Sequence, residues 1–362
     1  ELIPVTPSVA RSGLSGGAIP EHGGIVISVE NMNEVIEIDY DNLMMVLEPG
    51  VVTNSINEQL EESGLFFAGY PMSVMTCYLG GNIAENAGGG KAVKYGVTGR
   101  YVMGLEVVTP TGEIMELGGK RVKDVTGYDL KQLMVGSEGT LGIVTKATIK
   151  LLPKPTHRVA LLALFKDVET AISTVPKIMT SGRIVPTGIE FMDKLSVKTS
   201  CEYLNEHLPY QEAGAMLLIE VDGNKSEQVD SDAETIGELC LENDAIEVYV
   251  ADNHTTRERV WSVRRNIAEA FKVVSPHQSL EDIVVPIAKI PDLMPYLEDI
   301  SEKYDIQVPC YGHAGDGNLH ATLVKNPEHS MEKWYELEEK ALEDLYKATQ
   351  ELGGTISGEH GI

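Results

Sequence analysis

Short apolar runs broken by glycine and proline fill the first 155 positions, and longer runs with helical spacing take over after Pro155. In the first stretch, residues 2–6, 23–29 and 42–47 read as strands because aliphatic and β-branched side chains run together between turn formers, with 23–29 expected to be buried. A helix is expected over 55–63. Residues 102–109 and 114–117 read as a strand pair around Pro110, Thr111 and Gly112, and 145–152 as an alternating strand closed by Pro153 and Pro155. In the second stretch, 159–165, 216–221 and 246–250 read as strands, and 167–179, 227–243, 256–272, 289–304 and 330–352 as helices. The pattern predicts an α+β class in which helices pack on one face of a sheet.

The chain has 362 residues, beyond the size at which a single core usually stops growing, so two domains are expected, over 1–155 and 156–362. Acidic residues outnumber basic ones 55 to 29, for a net charge of -26. That balance argues against nucleic acid or an anionic membrane surface as partner. It also requires a local cation wherever an anionic substrate binds. The four cysteines, Cys77, Cys201, Cys240 and Cys310, include no closely spaced pair, so neither a disulfide framework nor a cysteine metal site is suggested, and a reducing compartment fits. No apolar run approaches the roughly 18 residues of a membrane span, and no signal peptide heads the chain. The chain opens inside a strand and stops inside a motif, which suggests a piece incomplete at both ends.

Chemistry concentrates in Y-G-H-A-G-D-G-N-L-H, residues 311–320, where Gly315 and Gly317 favour strand, turn, strand over a continuous helix. Such a hairpin can aim His313 and His320 into one space. Paired histidines in a glycine-rich turn are either ordinary hydrogen-bonded polar residues or two ligands of a zinc-like ion, which also accepts a carboxylate oxygen. The terminal S-G-E-H-G-I supplies Glu359 as that carboxylate and His360 as a base beside it, which favours the metal reading. Three glycine clusters, around 13–17, 80–90 and 136–142, expose backbone N–H groups suited to phosphate, or else form tight turns. None has the strand-to-helix context of a dinucleotide fingerprint or a P-loop.

Three segments together resemble the FAD-linked oxidases: Y-L-G-G-N-I-A-E-N-A-G-G at 78–89, the run from Lys120 to Thr145 ending in G-S-E-G-T-L-G-I-V-T, and the pair H-A-G-D-G-N-L-H and G-E-H-G-I. The resemblance covers nearly the whole chain. It is closest to the group containing the glycolate oxidase flavoprotein subunit and the D-lactate and D-2-hydroxyglutarate dehydrogenases. What it implies is a two-subdomain PCMH-type FAD-binding domain followed by a cap domain with an antiparallel sheet over the flavin ring. The same resemblance implies that Gly13, Leu14, Ser15, Gly16 and Gly17, with Pro71, Gly80, Gly81, Asn82, Asn86, Gly88 and Gly89, line the cofactor. Gly136, Glu138, Gly139 and Ile143 would also touch it. The chain departs from the family where relatives read R-G-A-G-T-G, placing Ser8, Val9 and Arg11 there. Side chains at those positions could crowd the loop, or Arg11 could pair with a phosphate.

By resemblance, His313, His320 and Glu359 hold a divalent metal, zinc or a similar ion, that chelates the carboxylate and hydroxyl of a 2-hydroxy acid. His360 would take the hydroxyl proton, Arg264 of the W-S-V-R motif would grip the carboxylate, Asn318 would orient the substrate, and hydride would pass to non-covalently held FAD. For Arg264 a helix-surface arginine is the alternative, and it is the preferred reading of Arg265; Glu281 and Asp282 read as structural acids. Glycolate and D-lactate are the expected substrates, with electrons passed to a partner protein or subunit. A non-catalytic flavin-binding electron-transfer subunit is the alternative, disfavoured by the complete histidine and glutamate set. The expected setting is cytoplasmic, with any membrane association made through a partner subunit.

Overall fold

The computed structural model describes residues 3–361. The chain divides into two compact units, one of Glu1–Lys154 with Glu359–Ile362 and one of Pro155–Gly358. In chain order the first contains β1 (Val5–Ser8), β2 (Ile25–Ser28), β3 (Val35–Asp39), β4 (Met44–Leu47), α1 (Thr53–Gln59), β5 (Leu65–Phe66), α2 (Leu79–Glu85), α3 (Ala92–Tyr95), β6 (Val102–Val108), β7 (Ile114–Gly118), α4 (Leu130–Met134), β8 (Ile143–Lys150) and β9 (Leu152–Pro153). Strands β3, β4, β8, β6 and β7 form an antiparallel five-stranded sheet in that order. Met45, Leu47, Leu105, Val107, Ala147 and Ile149 of this sheet pack with Ile56, Phe67, Leu79 and Ile83 into the unit's core.

Three sequence expectations are corrected in this unit. The strand expected over 2–6 begins at Val5, and its Leu2 lies outside the described residues. The strand expected to be buried over 23–29 is β2, which is exposed along its length; among the described residues it pairs only with β1, so its aliphatic side chains have no second layer to pack on. The glycine-rich stretch 78–90 is not loop throughout, since 79–85 is helix α2. One of its glycines is needed because the helix runs close against the chain at Pro49, where a Cβ on Gly80 would come 2.7 Å from the proline ring. The helix stops at Asn86, which takes the left-handed conformation common just past helix ends.

The second unit contains β10 (His157–Phe165), α5 (Val168–Thr180), β11 (Gly188–Asp193), α6 (Lys194–Leu204), β12 (Ala215–Gly223), α7 (Ser226–Glu242), β13 (Ala245–Ala251), α8 (His254–Arg265), α9 (Ile267–Val274), β14 (Gln278–Val284), α10 (Ile290–Tyr304), β15 (Cys310–His313), β16 (Asn318–Val324) and α11 (Met331–Glu351). Its seven-stranded sheet runs β13, β10, β12, β11, β15, β16, β14, with every pairing antiparallel. Side chains alternate across a strand, and here the alternation separates chemistry from packing. Leu161, Ala163, Ile189, Phe191, Leu217, Ile219, Leu319, Ala321 and Ile283 point to one side and form the core with Ile172 and Val175 of α5, Ile236 of α7, Leu293 and Leu297 of α10, and Leu345 of α11. The opposite side carries Glu190, Glu220, Tyr311, His313, Asn318, His320 and Asp282, all buried.

Helices are therefore not confined to one face as expected, because α8 delivers Arg264 to the polar side. The single helix expected over 256–272 is two. It breaks at Asn266, whose side-chain N–H donates to Ser262 O at 2.8 Å and competes with the main chain for that carbonyl.

Asp193 ties two of these layers together. One oxygen caps α6 by accepting from Ser196 N at 2.7 Å, and the other accepts from Cys310 N of β15 at 2.7 Å. Asp193→Ala removes a cap and strands a buried N–H, at a cost of about 2–4 kcal/mol. Thermal unfolding followed by circular dichroism is expected to show a midpoint several degrees lower; an unchanged midpoint would remove this role.

Candidate active site

The hairpin read from Gly315 and Gly317 forms between β15 and β16. Gly317 closes it with a φ of 85°, in a place where a Cβ would strike the Val285 carbonyl. Across the hairpin His313 stands opposite Asn318 and Tyr311 opposite His320. The flanking strands continue both rows, since Glu190 of β11 faces His313 and Asp282 of β14 faces His320. Opposite residues of an antiparallel pair point to the same side, so two polar rows cross one face of the sheet. The two imidazoles meet edge to face, with ring centroids 5.5 Å apart. That separation lets one nitrogen of each reach a common cation at about 2 Å, so the donor pair fits a zinc-like ion.

Arg264 reaches this face from the last turn of α8 and is not a helix-surface arginine, being only 4% exposed. Its Nε donates to Glu190 Oε2 at 2.8 Å, and its guanidinium lies over the Tyr311 ring, 5.0 Å from the centroid. The other oxygen of Glu190 lies 2.6 Å from His313 Nδ1. Burial works to raise the Glu190 carboxyl; the charges of His313 and Arg264 and their hydrogen bonds outweigh it, so the group stays below the usual carboxylate range. Arg265 points away and pairs with exposed Glu258 at 2.7 Å.

Asn318 and Asp282 form a second buried pair. Asn318 Nδ2 donates to Asp282 Oδ1 at 2.7 Å and to Ile283 O at 3.1 Å. Both partners only accept, so the amide nitrogen is fixed on that side, and Asn318 Oδ1 is left buried without a hydrogen-bond partner among the described residues. The second oxygen of Asp282 accepts from Gly358 N at 2.9 Å, while Gly358 N also lies 3.0 Å from Asp282 O. The chain leading to Glu359 and His360 is thus anchored beside β14; those two residues themselves fall in the first unit. Further along the polar face, Trp261 Nε1 donates to Glu220 Oε2 at 3.0 Å, and Glu220 Oε1 is also buried without a partner among the described residues. Buried orphan acceptors of this kind call for a donor from water or ligand.

In the first unit the glycine loops named from the sequence come together. A Cβ on Gly13 would strike Glu85 at the end of α2, and one on Gly17 would come 3.2 Å from Glu138 Oε2. Gly136 N and Glu138 N donate to Ile83 O and Ala84 O, each at 2.9 Å, which fastens the 136–139 turn along α2. Asn86 joins the cluster by accepting from Gly99 N at 2.8 Å. Gly89 packs on the chain at Tyr70 and Pro71, while Asn82 is buried and bonded to Thr53 at 2.8 Å, which makes it a structural member of α2. Leu14 is exposed, and Ile143 is half-buried at the start of β8. Arg11 has a φ of 58° and pairs with Glu30 at 2.9 Å. The convergence brings exposed main chain at Gly13 and Gly17 against the side chains of Glu85 and Glu138, an arrangement that fits an elongated cofactor lying against main chain.

Both units match known families. Residues 1–118 match the model of an FAD binding domain, and residues 154–362 match that of the C-terminal domain of FAD linked oxidases. The chain belongs to the FAD-linked oxidases and is an FAD-linked oxidoreductase. Among its relatives, the glycolate oxidase subunit GlcD of Bacillus subtilis (strain 168) is 42% identical over 99% of this chain and 76% of the relative. The D-lactate dehydrogenase of Anaerostipes hadrus is 39% identical over 99% and 76%. The fold is shared with p-cresol methylhydroxylase solved with substrate bound, at a TM-score of 0.76 and 16% identity, covering 98% of this chain and 76% of that one.

Glu190, Tyr311 and the anchoring role of Asp282 escape sequence reasoning. Glu190 lies in I-E-F-M-D, which carries no motif; only an acid set between apolar neighbours in a strand marks it.

Glu85 offers a test in the first unit. Burial, then repulsion from Glu138, pushes its carboxyl from 4.5 to about 7. Between those values the folded state holds a proton that the unfolded chain has released, so this group's contribution to stability falls as pH rises from 4.5 to about 7. Glu85→Gln is expected to raise the thermal midpoint by a few degrees at pH of about 8 and to leave it unchanged at about 4. Equal effects at both values would show that the carboxyl is not held protonated.

Proposed function

We propose that the protein oxidises a small D-2-hydroxy acid, of the size of glycolate or D-lactate, to the 2-oxo acid. The observation that carries this reading is the polar sheet face, where a buried arginine, two converging imidazoles and an orphan amide oxygen lie together. FAD, when bound, supplies the two-electron acceptor, and the glycine shelf around 13–17, 80–89 and 136–143 would hold its pyrophosphate. His313 and His320 would hold a divalent ion, which supplies positive charge beside the substrate oxygens. Glu359 is the proposed third ligand, following directly on the Gly358 that Asp282 fixes opposite His320.

The chain's own groups divide the remaining work. Arg264, with its planar guanidinium fork, pairs with the substrate carboxylate and offsets the repulsion of a chain with net charge -26. Asn318 Oδ1 accepts a hydrogen bond from the substrate hydroxyl. His360 takes the hydroxyl proton as base. Electrons leave to a partner protein, in keeping with the B. subtilis relative being a subunit of glycolate oxidase. The four cysteines are buried singly and offer no cluster site for such transfer. Among the described residues no helix is long and apolar enough to cross a membrane.

The test is anaerobic mixing of FAD-loaded, metal-analysed protein with glycolate, D-lactate, D-2-hydroxyglutarate and L-lactate. Bleaching of the flavin by the D-acids or glycolate is expected, with continuous turnover once an artificial acceptor is added. No bleaching by any of them would leave only an electron-transfer role. Arg264→Lys should raise KM by roughly 10- to 100-fold with a smaller change in kcat, because a lysine cannot reproduce the planar fork. His360→Asn should lower kcat by about 100- to 10,000-fold with flavin content intact. An unchanged kcat would assign the base elsewhere.

A further inference from the structure

We propose that Glu190 is a positioning residue that fixes His313 as a metal ligand and Arg264 as a carboxylate anchor at the same time. The inference rests on the functional reading above. Nothing in the I-E-F-M-D motif marks Glu190 for a role, yet it is fully buried in the middle of the sheet with each oxygen given to a different functional side chain. A buried ion pair adds little stability over well-packed apolar residues of similar volume, so stability alone does not account for an acid at this point.

The hydrogen-bond inventory gives the consequence. An ionised carboxylate only accepts. With Oε1 at 2.6 Å, the neutral imidazole that a metal requires carries its proton on Nδ1 of His313, which leaves the lone pair on Nε2 for a cation. With Oε2 taking the Arg264 Nε–H, the guanidinium is held edge-on to Glu190 and face-on to Tyr311, so its remaining N–H groups keep one direction. One carboxylate therefore sets both the tautomer of the ligand and the aim of the anchor, and it sets the spacing between them.

Glu190→Gln is nearly isosteric and separates positioning from packing. Arg264 can only donate, so the amide oxygen must face it, and the amide NH2 then faces His313 Nδ1. The imidazole would have to accept there and place its proton on Nε2, the wrong tautomer for binding. We expect zinc affinity, measured on FAD-loaded full chain by competition with a chromogenic chelator, to fall roughly 10- to 100-fold. Glu190→Asp, which keeps both acceptors and the charge, should recover part of that loss. The readout is zinc alone and needs no turnover.

A purely structural role predicts a lower thermal midpoint with unchanged zinc affinity, and that result overturns the proposal. Should the unpaired Arg264 prevent folding of the single variant, Glu190→Leu with Arg264→Met removes both the stranded charge and the acceptor that holds His313 in its ligating tautomer. The same loss of zinc affinity is expected in the double variant, and wild-type affinity there also overturns the proposal. His313→Ala separates the two levels of inference. If wild-type protein and His313→Ala bind zinc alike, or neither binds it, the metal reading fails and this proposal with it. If His313→Ala loses zinc while Glu190→Gln does not, only the role of Glu190 fails.

Discussion

A carboxylate removed from water has to be surrounded by donors, and the polar face of the second unit is arranged around that requirement at Glu190. Taking each ion of such a group out of water costs several kcal/mol, and losing one partner costs about 3–5 kcal/mol because the other charge is left stranded. Arg264 and His313 meet the requirement from a helix and a strand far away in sequence. The cost is tolerable because the same sheet is apolar on its other side. Burying Phe165, Phe191, Leu217, Ile219, Leu319 and Leu323 contributes about 1.5–3 kcal/mol each. Strand alternation is what permits this, since every second residue can serve packing while its neighbours serve chemistry.

The first unit faces a related electrostatic demand. Its glycine loops converge beside Glu85 and Glu138, in a chain that already carries a net charge of -26. An anionic cofactor held there would meet two carboxylates unless one is neutral. Raised to about 7, Glu85 holds a proton for part of the time near neutral pH, and the cluster's negative charge is lowered where a pyrophosphate would lie. Main-chain N–H groups can then act on the phosphates with less opposition.

Local signals made the hairpin, the glycine loops and most strands legible. Gly315 and Gly317 specify a turn, and the histidines on either side then fall on adjacent strands without any long-range information. Two glycines inside α2 hid a helix, because propensity counts both as breakers while the tight contact with Pro49 requires Gly80. The aliphatic β2 suggested burial, yet burial depends on a second layer that a strand's own sequence does not encode. Glu190 was the hardest to read. Its partners lie 74 and 123 residues away, so no window of sequence contains the interaction that gives it meaning.

The two polar pairs on this face differ in what they leave over. Glu190 takes up one edge of Arg264, an exclusive donor, so what remains there is donor capacity suited to a carboxylate. Asp282 and Ile283 take up the amide N–H groups of Asn318, and what remains is an acceptor. A ligand that answers both needs an anionic acceptor at one end and a hydroxyl donor at the other, as the 2-hydroxy acid proposed as substrate would supply. The 2-oxo acid formed in the proposed reaction would keep the carboxylate and lose the donor, leaving the acceptor of Asn318 orphaned again. An unmatched buried acceptor costs about 1–3 kcal/mol, enough to favour substrate over product by one to two powers of ten. The same amide that aligns the hydroxyl would therefore help to expel the ketone.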